Sequence, residues 1–145
     1  MDFADATEND LPFLREIAAL FKHGPDALSV KDWKAPGDVG IIGLGEDGHR
    51  LGAAWYRRQR VLGAYPGLSP LRTTGEVFIG VLDREQRRGF GTELLEKLME
   101  LARADRSLNA LVATISAQQE GSIKLFRREG FSKGTDDRWT LGLRH

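Results

Sequence analysis

Apolar positions along the chain fall into blocks whose spacing changes from one block to the next. Leu11, Leu14, Ala18 and Phe21 recur at helical intervals behind Thr7, Glu8 and Asp10, a capping residue followed by acids, which predicts a first helix near residues 8–22. From His23 to Asp38, Gly24, Pro25, Pro36 and Gly37 surround Leu28, Val30 and Trp33, the pattern of a loop with one short helix. Val39–Leu44 and Arg50–Arg58 are apolar or aromatic runs separated by Gly45-Glu46-Asp47-Gly48, which predicts two antiparallel strands and a hairpin turn. Residues 59–75 carry Gly63, Pro66, Gly67, Pro70 and Gly75, so they read as a long, mobile connection with a functional role.

The second half is more regular. Glu76–Leu82 reads as a strand, Leu94, Leu95, Leu98, Leu101 and Ala102 form a helical stripe, and Leu108–Ile115 reads as another strand. A strand, helix, strand unit of this kind has parallel strands and a right-handed crossover. Ser122–Glu129 reads as a short helix ended by Gly130 at a left-handed position with Phe131 packing back, and Arg138–Leu143 alternates as a last strand. Without repeats, low-complexity tracts or linkers, residues 1–145 are expected to form one mixed α/β domain.

Composition narrows the partners. Apolar residues make up 41% and charged residues 29%, values at which a chain of 145 residues folds around one core. Lys plus Arg number 21 and Asp plus Glu 21, leaving no overall field to hold a polyanion, so nucleic acid is not expected as a partner. Cysteine is absent, no apolar run spans a bilayer, and Met1-Asp2-Phe3-Ala4-Asp5 has no basic or apolar leader pattern. A cytoplasmic protein with no membrane partner is expected. His23, His49 and His145 show no ligand spacing, so no metal is expected.

Between the strand ending near Leu82 and the helix beginning near Gly91, Gln86-Arg87-Arg88-Gly89-Phe90-Gly91-Thr92 presents backbone amides at a helix N-terminus. Glycines permit close approach, the first amides of a helix lack intrahelical acceptors, and the helix dipole favours phosphate oxygens. A P-loop would need Gly-Lys-Ser/Thr where Thr92-Glu93 follow Gly91, and a dinucleotide fingerprint would need glycine at Leu94. Gly43-Leu44-Gly45-Glu46-Asp47-Gly48 matches that fingerprint on paper, yet strand-like Leu51–Tyr56 follows it, so it reads as a hairpin.

Gln86-Arg87-Arg88-Gly89-Phe90-Gly91 fits the Gln/Arg-x-x-Gly-x-Gly/Ala signature of the GNAT acetyltransferase superfamily, and Ser122-Ile123-Lys124-Leu125-Phe126-Arg127-Arg128-Glu129-Gly130-Phe131 resembles its downstream Ala-Ile-x-Leu-Tyr-x-x-x-Gly-Phe segment. The resemblance is close over residues 76–131, extends to Leu51–Arg57 as the family's third strand, and rests on strand-then-helix order alone in the first 38 residues. It implies a single GNAT-like domain whose mixed, mostly antiparallel sheet has two central parallel strands, 76–82 and 110–116, splayed around the pantetheine arm of acetyl-CoA. Main-chain groups of Ile79, Gly80 and Val81 would pair with that arm, and Gln86, Arg87, Arg88, Gly89, Phe90, Gly91 and Thr92 would hold the pyrophosphate. Gln119 and Phe126 complete the implied cofactor-binding set.

The implied activity is acetyl transfer from acetyl-CoA to a primary amine by direct attack, the acceptor being a small molecule or a peptide. Glu76, at the start of the central strand, matches in position the glutamate that serves as base in the histone-acetylating branch of the superfamily, allowing for one residue less in the strand-to-helix loop. Phe126 stands where the family's tyrosine acid is usual, and Gln119 where an asparagine is; Tyr56 and Tyr65 are the remaining candidates for an acid. Arg57-Arg58-Gln59-Arg60 reads as a solvated basic patch at a strand end, with an anionic acceptor as the functional alternative. Loss of the tyrosine also leaves open a catalytically silent acyl-CoA-binding sensor or interaction module, and the last strand around Trp139 offers an edge for a homodimer.

Overall fold

In the computed structural model, residues 1–19, 38–62, 71–82 and 89–143 are described, and they form two compact units. The first unit comprises Met1–Arg57 with Phe78–Leu98, the second Arg58–Val77 with Met99–His145. Two long strands, β3 (Arg50–Leu62) and β4 (Leu71–Val81), pass from one unit into the other. Hydrogen bonding orders the strands as β1 (Asp2–Asp5), β2 (Val39–Leu44), β3, β4, β5 (Ala110–Thr114), β7 (Arg138–Gly142) and β6 (Ser132–Lys133), and helices complete the mixed α/β fold expected from the sequence.

In the first unit, β1 (Asp2–Asp5) pairs antiparallel with β2 (Val39–Leu44), and β2 with β3. Helix α1 (Leu11–Ala18) lays Phe13, Leu14, Ile17 and Ala18 on Ala6, Ile42, Ala53 and Trp55, and the Trp55 ring stacks on Phe78 at 5.7 Å between centroids. Burying side chains of this size stabilises by about 1.5–3 kcal/mol each. The helix expected near 8–22 begins differently. Glu8–Asp10 is a 3₁₀ turn, and the α-helix starts at Leu11 because Pro12 has no N–H to donate to the carbonyl four residues back. Residues 20–22, and the loop expected over 23–37, lie outside the described residues.

Asp10 fastens this turn to the sheet. Its Oδ2 accepts from the Thr7 amide at 2.9 Å and its Oδ1 from Arg50 Nη2 at 2.8 Å. Partial burial alone would raise the carboxyl, but the bonds from Thr7 and the charge and bond of Arg50 together outweigh it, holding Asp10 below its usual 3.8. A depressed folded pKa contributes stability that is present above the unfolded value and lost as pH falls through the folded one. The melting-temperature gap between wild type and Asp10→Asn should therefore be widest above about pH 5 and shrink steadily in more acidic buffer.

In the second unit, β4 pairs parallel with β5 (Ala110–Thr114) over Thr74↔Ala110, Gly75↔Leu111 and Glu76↔Val112. That register stops at Glu76 although β4 runs on to Val81 and β5 to Thr114. On its other side β5 pairs antiparallel with β7 (Arg138–Gly142), which pairs with β6 (Ser132–Lys133). Helix α2 (Phe90–Ala104) spans both units, and α3 (Glu120–Arg128) belongs to the second. Gly130, with φ of +100°, ends α3 as expected; the Phe131 amide returns to the Phe126 carbonyl at 3.0 Å and the two rings meet edge to face.

Two expectations need correction here. Residues 59–62 and 71–75 are strand, not connection, because sheet pairing outweighs the turn signals of the nearby glycines and prolines; residues 63–70 lie outside the described set. The last strand is not an open edge at Trp139, since β6 pairs with Thr140 and Trp139, and the indole is buried with the Arg127 guanidinium 5.5 Å from its ring centre. β6 itself was not foreseen, and two residues make it too short to template further pairing. Among the described residues no helix is long and apolar enough to cross a membrane.

Candidate functional site

In the first unit, β4 delivers Ile79, Gly80 and Val81, and α2 opens at Phe90. Gly89 precedes it with φ of +80°, a backbone state that favours glycine, and its carbonyl accepts the Glu93 amide at 3.2 Å to begin the helix. Among the described residues, a Cβ built on Gly89 would meet nothing within 4 Å. Phe90, Gly91 and Thr92 form the first helical turn, and the opening N–H groups of a helix point toward its N-terminal end. Leu94, Leu95 and Leu98 are fully buried and fix the helix axis. The same unit thus holds both parts of the expected main-chain site, Ile79–Val81 and Gly89–Thr92. Gln86, Arg87 and Arg88 lie outside the described residues.

Close packing beneath this site depends on Gly52 of β3. A Cβ there would lie 2.6 Å from the Gly80 carbonyl oxygen and 3.1 Å from both Val81 Cα and Leu94 Cδ1. Only a residue without a side chain lets β3 approach both the strand and the helix.

Glu76, Gln119 and Phe126 belong to the second unit. Glu76 is not at a strand start: it is the sixth residue of β4, opposite Val112, and its Oε2 accepts from Gln59 Nε2 at 2.7 Å. Among the described residues Oε1 accepts no hydrogen bond, leaving one carboxylate oxygen to receive a proton. Gln119 sits at the N-cap of α3, where its Oε1 accepts the Ser116 amide at 2.9 Å and its amide nitrogen remains to donate. Phe126 is 1% exposed, packed against Phe131 at 4.9 Å, and Tyr56 is equally buried. Tyr65 lies outside the described residues.

Two of the three arginines in the basic run on β3 are paired with carboxylates, and the side chain of Arg60 lies outside the described residues. Arg57 makes a bidentate pair with Asp38, both nitrogens at 3.1 Å, Arg58 pairs with Asp105, and Gln59 is engaged by Glu76. Sequence reading does not separate Gln59 from its arginine neighbours; only the extended reach of β3, adjacent to β4 in the sheet, brings it beside Glu76. His49 bonds to Asp47 in the β2–β3 turn, while His23 and His145 lie outside the described residues. Among the described residues no group of three or more His, Asp or Glu side chains is placed to hold a metal ion.

The parallel β4–β5 pair, the glycine-led helix after β4 and the strand order define an acetyltransferase fold. The model of the acetyltransferase (GNAT) family matches residues 6–131, and the chain belongs to that family. Its fold is shared by a ribosomal-protein-alanine N-acetyltransferase from Brucella melitensis, at 22% identity over 99% of this chain and 100% of that one, with a TM-score of 0.71. It is shared also by a GNAT superfamily phosphinothricin acetyltransferase from Sinorhizobium meliloti in complex with acetyl-CoA, at 23% identity over 98% and 88% of the two chains, with a TM-score of 0.72. No curated protein sequence gives a significant match.

Proposed function

We propose that residues 1–145 act as one N-acetyltransferase, moving acetyl from acetyl-CoA to a primary amine of a small molecule or peptide in the cytoplasm. The observation that carries this reading is the α2 N-terminus, entered through Gly89 at positive φ, which is the next described element after the strand that bears Glu76. Family membership and the acetyl-CoA complex of the Sinorhizobium meliloti protein support the choice of anion. Amides of the first turn of α2, with Gln86, Arg87 and Arg88 before it, would hold the pyrophosphate, and the main chain of Ile79–Val81 the pantetheine.

Glu76 takes one proton from the acceptor ammonium, so that the neutral amine can attack the thioester carbonyl. A C–N bond forms, the C–S bond breaks, and the second nitrogen proton passes to the departing thiolate. The balance is acetyl-CoA plus ammonium giving acetamide, CoA thiol and one proton released through Glu76 to solvent. Gln59 holds one oxygen of the base and so its direction.

Titration calorimetry of acetyl-CoA tests the donor site. Wild type should bind with a dissociation constant of order micromolar, about 8 kcal/mol. Gly89→Glu should lose detectable binding while retaining its far-ultraviolet circular dichroism, because a carboxylate repels the pyrophosphate and φ of +80° strains a side chain. A wild type that does not bind acetyl-CoA would sink the reading.

One observation favours a second reading, that of a silent acyl-CoA-binding module. Phe126 is buried and has no hydroxyl to protonate a thiolate. Binding without turnover of any amine would select it.

A further inference from the structure

Within the second unit, directly paired residues of neighbouring strands project to the same face of the sheet. Glu76 shares a face with Val112 and, through it, Thr140. Thr74 shares that face with Ala110 and Gly142, and Thr114 with Arg138. The opposite face buries Leu111, Ala113 and Trp139. The Glu76 face is therefore a floor of small residues between a carboxylate on β4 and a guanidinium on β7.

Two features on this face lack partners. Thr74 is 7% exposed, and its Oγ1 makes no hydrogen bond among the described residues. Arg138 is exposed and its guanidinium forms no ion pair there, although Asp136 and Asp137 precede it. Arg57 and Arg58, by contrast, are matched by Asp38 and Asp105. The backbone at Arg138 is held firmly. Its carbonyl accepts the Gly134 amide at 2.6 Å, its amide donates to Thr135 at 3.1 Å, and the adjoining Asp137 carbonyl accepts the Ile115 amide at 2.9 Å. Asp136 and Asp137 both have positive φ, 53° and 61°, a strained turn kept by these bonds.

We infer that the acceptor is a small zwitterion, an amine that also bears a carboxylate, with the carboxylate received by Arg138. This rests on the reading of Glu76 as the base. Two strand spacings and two residues of rise place the Glu76 and Arg138 Cα atoms about 12 Å apart. With the Glu76 carboxylate held on the β3 side by Gln59, and the exposed Arg138 side chain long enough to reach over β5, the interval between them suits a small molecule with opposite charges at its two ends. A guanidinium fork matches a carboxylate bidentately, and the unpartnered Thr74 hydroxyl adds a hydrogen bond on the amine side. Arg138 is on this account a specificity residue.

The test pairs free amino acids with their carboxamides, alanine with alaninamide for example, and adds β-alanine and γ-aminobutyrate to vary the charge spacing. Turnover is followed by CoA thiol release, and binding by thermal shift and by ligand-observed NMR. Wild type should prefer the carboxylate member of each pair. Arg138→Gln should raise KM for carboxylate acceptors at least tenfold, with a far smaller change for carboxamides, and Arg138→Lys should restore part of the loss. Turnover indifferent to the carboxylate, or an Arg138→Gln defect equal for both members, overturns the inference and leaves the acetyltransferase reading standing. Carboxylate-selective binding that Arg138→Gln abolishes, without turnover of any amine, supports the inference and sinks the catalytic reading. Neither turnover nor binding of any acceptor overturns the inference.

Discussion

Glu76→Gln should lower kcat/KM for the best amine acceptor by about 10²–10⁴-fold, the usual contribution of a positioned general base. The substitution keeps size and shape, and the new side chain can still bond to Gln59, so neither strand pairing nor acetyl-CoA affinity should change. What disappears is the capacity to take a proton from the acceptor ammonium. A primary alkyl ammonium titrates near 10.4, so at neutral pH almost none of it is nucleophilic without help. The defect should consequently shrink as the assay pH rises, because solvent then supplies the neutral amine. Steady-state rates across pH 7 to 10 read this directly. A variant within threefold of wild type at pH 7 would remove Glu76 from the chemistry, and a defect of constant size across that range would make it a positioning residue.

The strand, helix, strand centre was legible from sequence because its apolar spacing, local and uninterrupted, decides the structure by itself. The helix expected at Ser122–Glu129, observed at Glu120–Arg128, was legible at its end for the same reason: one left-handed residue, Gly130, and one aromatic contact, Phe131 on Phe126, determine where it stops. The first helix was misjudged at its start through Pro12, whose missing N–H matters to hydrogen bonding and not to apolar period. The lengths of β3 and β4 were misjudged because pairing between distant segments carried both strands past their local turn signals.

The site divides along the same line. A helix start entered through a glycine is written in contiguous residues, so Gly89 at positive φ and the helical turn that follows it were legible without knowledge of the sheet. Side chains that act across strands are not contiguous. Gln59 reaches Glu76 from seventeen positions away, and Arg138 shares a face with Glu76 only through β5. Neither relation exists until the register is known. The basic run from Arg57 to Arg60 shows the converse error: charges adjacent in sequence were read as one patch, whereas Arg57 and Arg58 face different carboxylates, Asp38 and Asp105.

Gly52→Ala should destabilise the protein by about 1–3 kcal/mol, and Gly52→Val by more, the range for forcing extra atoms into a packed interior. An added Cβ at 2.6 Å from the Gly80 carbonyl oxygen cannot be relieved by turning a side chain, because the obstacle is main chain. Either β3 or β4 must move, and Leu94 at 3.1 Å resists movement toward α2. Gly121→Ala is the matched control. Among the described residues its Cβ meets nothing within 4 Å, and in helix α3 the loss of glycine's backbone freedom should stabilise by up to about 1 kcal/mol. The same chemical change thus carries opposite signs at two positions, read as urea midpoints at unchanged m-value. Gly52→Ala should also weaken acetyl-CoA binding, since it displaces the main chain of Gly80 and Val81 proposed to meet the pantetheine. Full stability in Gly52→Ala would mean that β3 and β4 sit farther apart than 2.6 Å from that carbonyl implies; lost stability with undiminished acetyl-CoA affinity would remove Gly80 and Val81 from the donor site.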